Sequence, residues 1–340
     1  MAAPSPPLRL PPEWLAHRYD PDRDAVHFLK VDRALRRAKP FLTDEEIGPA
    51  GEPLIASRQD SLKVAAGPSP IHFIFHSAYC CSTLLANAYD EAGIATAFKE
   101  PMILNDLVGW RHRGGSPARI GEVLDGALRL LARPFGTGEA AVVKPSNVVN
   151  ALASAMLKLR PRAGAVLLYA PLRVFLGSIA GKGLWGRLWV RDLLVKQLKD
   201  GLVDLGFEPE DHLLQTDLQV AAVGWLVQQS LFARMAAEFP DRVRTLESET
   251  LLARPEEALA AIDHLFGLAR SDEARAEVVA LVFRRHAKFG GEFDREDRIA
   301  GQRSAADLHG DEIGKVVAWA EAVARNAGVE LIPPSALLGS

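Results

Sequence analysis

The stretch Ile71–Gly93 reads IHFIFHSAYCCSTLLANAYDEAG. It opens as a short apolar run behind Pro70, the mark of a buried strand. Small and hydroxyl residues follow (Ser77, Ala78, Tyr79, Cys80, Cys81, Ser82, Thr83), and LLANAYDEA continues as a helix. Strand, tight loop and helix start in that order build an anion site. Backbone N–H groups of the first turn have no partner within the helix, and the helix dipole adds partial positive charge there. Ser82 and Thr83 can cap the helix or donate hydroxyls to a phosphate. A ligand carrying phosphate, such as a nucleotide, follows from that pattern.

Outward from this stretch, strand-like runs alternate with helical ones. IATAF (94–98) ends in Lys99-Glu100-Pro101, AAVVK (140–144) precedes a helix over Asn147–Leu159, and AVLLYA (165–170) precedes another near Pro171. RVRTLE (242–247) supplies a fifth strand. Helices between strands imply parallel crossovers, hence an α/β fold with a parallel sheet of about five strands covered on both faces. Ligands of such sheets bind at the carboxyl ends of the strands, where His76–Thr83, Lys99–Glu100, Lys144–Asn147 and Tyr169–Ser178 fall.

The flanks are less regular. Residues 1–68 read as an irregular, proline-punctuated lead-in with one or two short helices in VDRALRRAKPFLTDEEI (31–47). The second half is helical, over 184–202, 218–239, 249–268 and 310–328, with HAKFGGEFDREDR (286–298) as a polar loop. The expected organisation is a lead-in over 1–68, an α/β core over 69–290 and a C-terminal loop and helix over 291–340, the later helices forming a cap.

Among 340 residues, 48% are hydrophobic and 24% charged, which suits a soluble globular chain with ample core. A net charge of −3 argues against a general electrostatic grip on nucleic acid. The start lacks the apolar centre of a signal peptide, and no apolar run approaches the roughly 20 residues that span a bilayer. The two cysteines are adjacent, which excludes a disulfide framework. A cytoplasmic protein is the simplest reading.

Several of these motifs, in their order, resemble the PAPS-dependent sulfotransferases, a superfamily with a P-loop NTPase-like fold. YCCSTLL (79–85) resembles the family's R-S-G-[ST]-T-L-L loop, Glu100-Pro101 its E-P, Lys144-Pro145 its K-P, and Tyr169-Ala170-Pro171 its R-D-P. LESETLLARPEEALAAIDHLFGL (246–268) is similar to its y-E-D-L-l-x-x-P-e segment. The resemblance runs from about residue 70 to 290. It implies transfer of a sulfuryl group from PAPS, as co-substrate, to a small-molecule hydroxyl or amine, with no metal. The departures lie at charged positions. The loop's basic residue falls on Tyr79 and its glycine on Cys81. The arginine of R-D-P falls on Tyr169, and the later serine on Gly177, with Ser178 next to it. Neutral groups replacing phosphate-binding cations weaken a charge-assisted grip.

Candidate roles follow. Glu100 is the candidate general base, or else a turn carboxylate paired with Lys99; His76 is a second candidate base, or else closes a hydrogen bond in a crowded loop. Lys144 either stabilises a leaving group or forms an ion pair with Glu100. Ser77, Tyr79, Cys80, Cys81, Ser82 and Thr83 line the loop, and Arg173, Ser178 and Lys288 are candidates to replace the missing phosphate contacts. Lys182, Arg187, Arg191, His286, Arg295 and Arg298 are further basic candidates. Trp185, Trp189 and Trp225 offer either an aromatic platform or packing. A Cys80 or Cys81 thiolate favoured by the helix start competes with plain packing. The G-x-x-x-x-G-K-[ST] signature is absent, which weakens a kinase or nucleotidase. A non-catalytic nucleotide or phosphate binder on the same fold is the other alternative. The expected partners are a phosphorylated nucleotide and a small acceptor, without membrane or nucleic acid, and a homodimer is compatible with the sequence.

Overall fold

A computed structural model describes residues 10–48, 51–64, 69–284 and 295–339. Five strands form the expected parallel sheet: β4 (Ile71–His76), β5 (Ala95–Lys99), β6 (Ala140–Lys144), β7 (Ala165–Tyr169) and β8 (Val243–Glu247). Their spatial order is β5-β6-β4-β7-β8. The first of these strands is therefore central, and the strand order reverses at it. Every residue of β4, β5, β6 and β7 is buried, as suits strands covered on both faces. Phe73, Phe75 and Phe98 are at most 1% exposed, and burial of each stabilises the fold by about 1.5–3 kcal/mol.

The chain falls into two compact units, Met1–Ile74 with Leu85–Gly164, and Phe75–Leu84 with Ala165–Ser340. The first holds an element that the proline-rich lead-in concealed. β1 (Trp14–Asp20), β2 (Ala25–Lys30) and β3 (Leu54–Ser57) form an antiparallel sheet in that order, so the lead-in is not irregular. Its hairpin is made by local polar chemistry. Asp20 Oδ1 accepts from the amides of Asp22 (2.9 Å) and Arg23 (3.2 Å), and Asp24 takes a left-handed φ of 45°. Tyr19 and Arg58 then hold the Asp24 carboxylate at 2.7 and 2.8 Å. The expected helical segment over 31–47 divides at Pro40 into Arg33–Ala38 and Asp44–Ile47, capped by Asp32 and Thr43.

In the second unit, helices Leu172–Gly181, Gly183–Lys199, Asp217–Glu238 and Arg295–Ala327 pack together. The last is longer than expected, and Arg295 and Arg298 belong to it rather than to a polar loop. Thr216 starts Asp217–Glu238 with a reciprocal capping box to Gln219. The C-terminal tail runs beside β8. Thr245 N–H donates to Ser335 O at 2.9 Å, and Leu337 N–H donates to Thr245 O at 2.8 Å. The free edge of β8 is thereby covered.

Candidate functional site

In the second unit, the loop after β4 is anchored on β7 and then turned by three left-handed residues. Ser77 N–H donates to Leu168 O at 3.0 Å, and the Cys80 thiol donates to the same carbonyl at 3.4 Å. Ala78, Tyr79 and Cys81 have φ values of 73°, 50° and 64°. None is glycine, and each such placement costs about 1–2 kcal/mol. Turns in which right- and left-handed residues adjoin aim successive amides toward a common side, which is how backbone concavities hold anions. The chain then enters helix Ser82–Ala88, with Ser82 buried. Ser77 Oγ is buried and has no hydrogen-bond partner, in a residue 1% exposed. An unmet hydroxyl costs about 1–3 kcal/mol unless something pairs with it.

His76 serves the loop rather than an acceptor. Its Nδ1 accepts the Ala78 amide at 3.1 Å, so the neutral ring carries its proton on Nε2, a donor and not a base. Tyr79 packs edge-on against Phe175 (6.1 Å) and Trp189 (5.5 Å). Burial pushes the Tyr79 hydroxyl up to about 12, and the Tyr169 hydroxyl is likewise raised to about 12 by burial and by Glu247. Both stay neutral near pH 7, able to donate a hydrogen bond but carrying no charge. Glu247, the register partner of Tyr169, is itself raised by burial and by Glu249.

The other second-unit candidates are distributed. Ser178 Oγ donates back to Val174 O at 2.9 Å, so its helix already uses it. Arg173 is exposed on the first turn of its helix. Arg187 faces Asp217 and Glu312 at 3.8 and 3.5 Å, and Arg191 Nε binds Asp217 at 2.5 Å. Trp225 is core, its Nε1 donating to Ala170 O at 2.9 Å. Lys288 and His286 lie outside the described residues.

In the first unit, Glu100 and Lys144 meet in an ion pair. Glu100 N–H also donates to Lys144 O at 2.7 Å, and Glu100 holds a left-handed φ of 53°. Lys144 is 1% exposed and its ammonium lies 5.0 Å from the Phe41 ring centroid. Lys99, the sequence neighbour, is committed elsewhere: its Nζ donates to Asn87 Oδ1 (2.9 Å) and Arg37 O (3.2 Å). Glu100 therefore pairs with Lys144 across neighbouring strands. The carboxylate retains 19% exposure, enough to reach a bound group, whereas the ammonium is enclosed.

Buried amides elsewhere also carry unmet hydrogen bonds, Asn147 and Gln229 among them. Asn147 Nδ2, just after β6, has no partner, nor do Nε2 and Oε1 of Gln229. A sequence signal for the second did exist, since Gln228-Gln229 interrupts an apolar helical run. Among the described residues no cluster of three or more His, Cys, Asp and Glu could hold a metal, and no helix is long and apolar enough to cross a membrane.

No family model matches the chain. No curated protein matches it either. Among solved structures, the sulfotransferase domain from the Synechococcus PCC 7002 olefin synthase aligns at 15% identity with a TM-score of 0.39, over 71% of this chain and 95% of that one. The fold described above is read from the chain's own strand order.

Proposed function

We propose that this chain is a sulfotransferase-like protein that binds the nucleotide PAPS through the loop Ser77–Thr83. The reaction would move a sulfuryl group to a small hydroxyl or amine acceptor. The observation that carries this reading is the loop itself: three left-handed non-glycine residues and a buried, unpaired Ser77 hydroxyl after the central strand. Strain and unmet bonding capacity in one short loop are what a ligand would repay. The motif order from residue 79 to 268 supports the nucleotide as that ligand.

PAPS, when bound, supplies the electrophilic sulfur. Ser77, Ser82, Thr83 and the loop amides would hold its phosphates by neutral hydrogen bonds, with Tyr79 a further hydroxyl donor. Glu100 would take the acceptor's proton as the new O–S or N–S bond forms, and the bridging S–O bond would break toward the nucleotide phosphate. Lys144, released from Glu100 once that carboxylate is protonated, would offset the charge on the leaving oxygen.

A second reading, a non-catalytic binder, is favoured by the neutral tyrosines at 79 and 169 and by the closed Glu100–Lys144 pair. Labelled PAPS incubated with a panel of hydroxyl and amine acceptors separates the two. Transfer that disappears in Glu100→Ala and Lys144→Ala, with circular dichroism unchanged, supports catalysis. Donor binding without transfer to any acceptor supports the binder.

A further inference from the structure

β7 and β8 end side by side on a tyrosine and a carboxylate. Tyr169 and Glu247 are register partners in these parallel strands, so their side chains leave the sheet on the same face, at its carboxyl edge. Tyr169 follows Leu168, whose carbonyl holds the Ser77 amide and the Cys80 thiol, so the two residues adjoin the candidate loop within one unit. Tyr169 is 5% exposed, and among the described residues its hydroxyl has no hydrogen-bond partner. Glu247 is half-buried and, among the same residues, has neither a hydrogen bond nor an ion pair on its carboxylate. It occupies the N-cap position of helix Ser248–Ala253, yet its side chain does not cap that helix.

Other enclosed carboxylates of the chain are answered by cations: Glu100 by Lys144, Asp106 by Arg18 and Glu139 by Arg33. Glu247 instead feels a second carboxylate, Glu249, which together with burial raises its pKa. Its own charge reaches the Tyr169 hydroxyl and helps to raise that group in turn. Two carboxylates beside a buried neutral hydroxyl repel a phosphate and favour a cation, which would repay the cost of enclosing Glu247. The carboxylate oxygens and the hydroxyl lone pairs all accept, so a cation rich in N–H donors fits, and a primary ammonium is one. A metal ion is a poorer match. Magnesium and calcium take about six or more oxygen ligands, and among the described residues no cluster of three or more His, Cys, Asp and Glu could hold one.

We propose that Tyr169 and Glu247 form a binding site for the primary ammonium group of a small organic amine, with the Glu247 carboxylate and the Tyr169 hydroxyl oxygen accepting its N–H groups. Both residues come from β7 and β8, so binding there requires no donor nucleotide and stands or falls apart from PAPS.

The chain has only four tyrosines, so isotopic labelling of their Cζ carbons gives few enough NMR signals for Tyr169→Phe to assign the one that matters. n-Butylammonium chloride, titrated into the full chain without PAPS at constant ionic strength and about pH 7, should move the Tyr169 signal saturably. A dissociation constant on the order of millimolar is expected for so small a ligand. Glu247→Gln, with circular dichroism unchanged, should weaken that binding by about tenfold or more, because a charge-assisted contact is lost. n-Butanol lacks the charge, tetramethylammonium lacks the N–H donors and magnesium lacks its ligand set, so each should bind wild type at least about tenfold more weakly than butylammonium. A Tyr169 signal indifferent to butylammonium would overturn the site. So would a loss below about tenfold in Glu247→Gln, or a smaller margin over any of the three other probes. The comparison among probes is made on wild type, so it decides the matter even where the variant does not fold.

Discussion

The loop Ser77–Cys81 and the cluster around Glu139 both bury polar groups, and they do so in opposite ways. Glu139 is 2% exposed yet fully answered. Arg33 donates to it at 2.6 and 3.1 Å, Thr96 Oγ1 at 2.7 Å and the Gly93 amide at 2.9 Å. Burial alone would raise its pKa, but these donors outweigh it and hold the carboxyl below its ordinary value. Around Ser77 the side chains are neutral, the backbone is strained and a hydroxyl is left without a partner. In the first arrangement the carboxylate is answered by its own surroundings and has little to offer a ligand. The second is incomplete without one. Charge density by itself thus marks structure in this chain; what distinguishes the loop is that an unmet hydroxyl coincides with left-handed backbone.

The contrast is sharpest in stability. Glu139→Gln should cost about 2 kcal/mol by removing the nearer of Arg33's two carboxylates, with Asp90 remaining at 3.7 Å, read as a drop in the urea midpoint. Ser77→Ala should raise stability by about 1 kcal/mol, because it removes a buried hydroxyl that has no partner and loses no bond. Equal losses at the two positions would end the distinction between a finished cluster and an open site.

A second difference is in acid. His72 accepts the Gly164 amide at 3.1 Å on Nδ1, and burial pushes its pKa down to about 4. The unfolded ring, with a pKa near 6.5, binds a proton that the folded one refuses. Stability is therefore complete above about pH 6.5 and is lost as pH falls toward about 4. From about pH 7 to about pH 5 the loss should be about 2 kcal/mol. His72→Asn should remove that slope in urea titrations run at the two pH values, and an unchanged slope would assign the acid limb to other groups.

A smaller effect tests the strain in the loop. Ala78→Gly relieves the φ of 73° and should raise stability by about 1 kcal/mol, whereas glycine normally destabilises. A thermal melt that moves down instead would show that the backbone there is not under strain.

Much of this was legible beforehand, and the exceptions have physical causes. β4 to β8 could be read because continuous apolar runs bounded by turns are nearly unambiguous when both faces are buried. β1 to β3 were hidden by half-exposed alternation and by the proline-rich text around them, although Pro21-Asp22 in the Asp20–Asp24 turn was a hairpin signal. The Glu100–Lys144 pair was one of two open alternatives, since strand neighbours cannot be known before the sheet order. The role of His76 was likewise one of two open alternatives, and the sequence did not say which backbone group it would bond. Its ring accepts from a backbone amide two residues away, a contact that no residue pattern announces.

The central claim is that the unpaired Ser77 hydroxyl and the left-handed turns belong to a nucleotide site. Calorimetric titration of PAPS into wild type and Ser77→Ala tests it most directly. Saturable wild-type binding, weakened about tenfold in Ser77→Ala with stability undiminished, is the predicted result. No heat of binding at millimolar PAPS, or equal affinity in the two proteins, would contradict it.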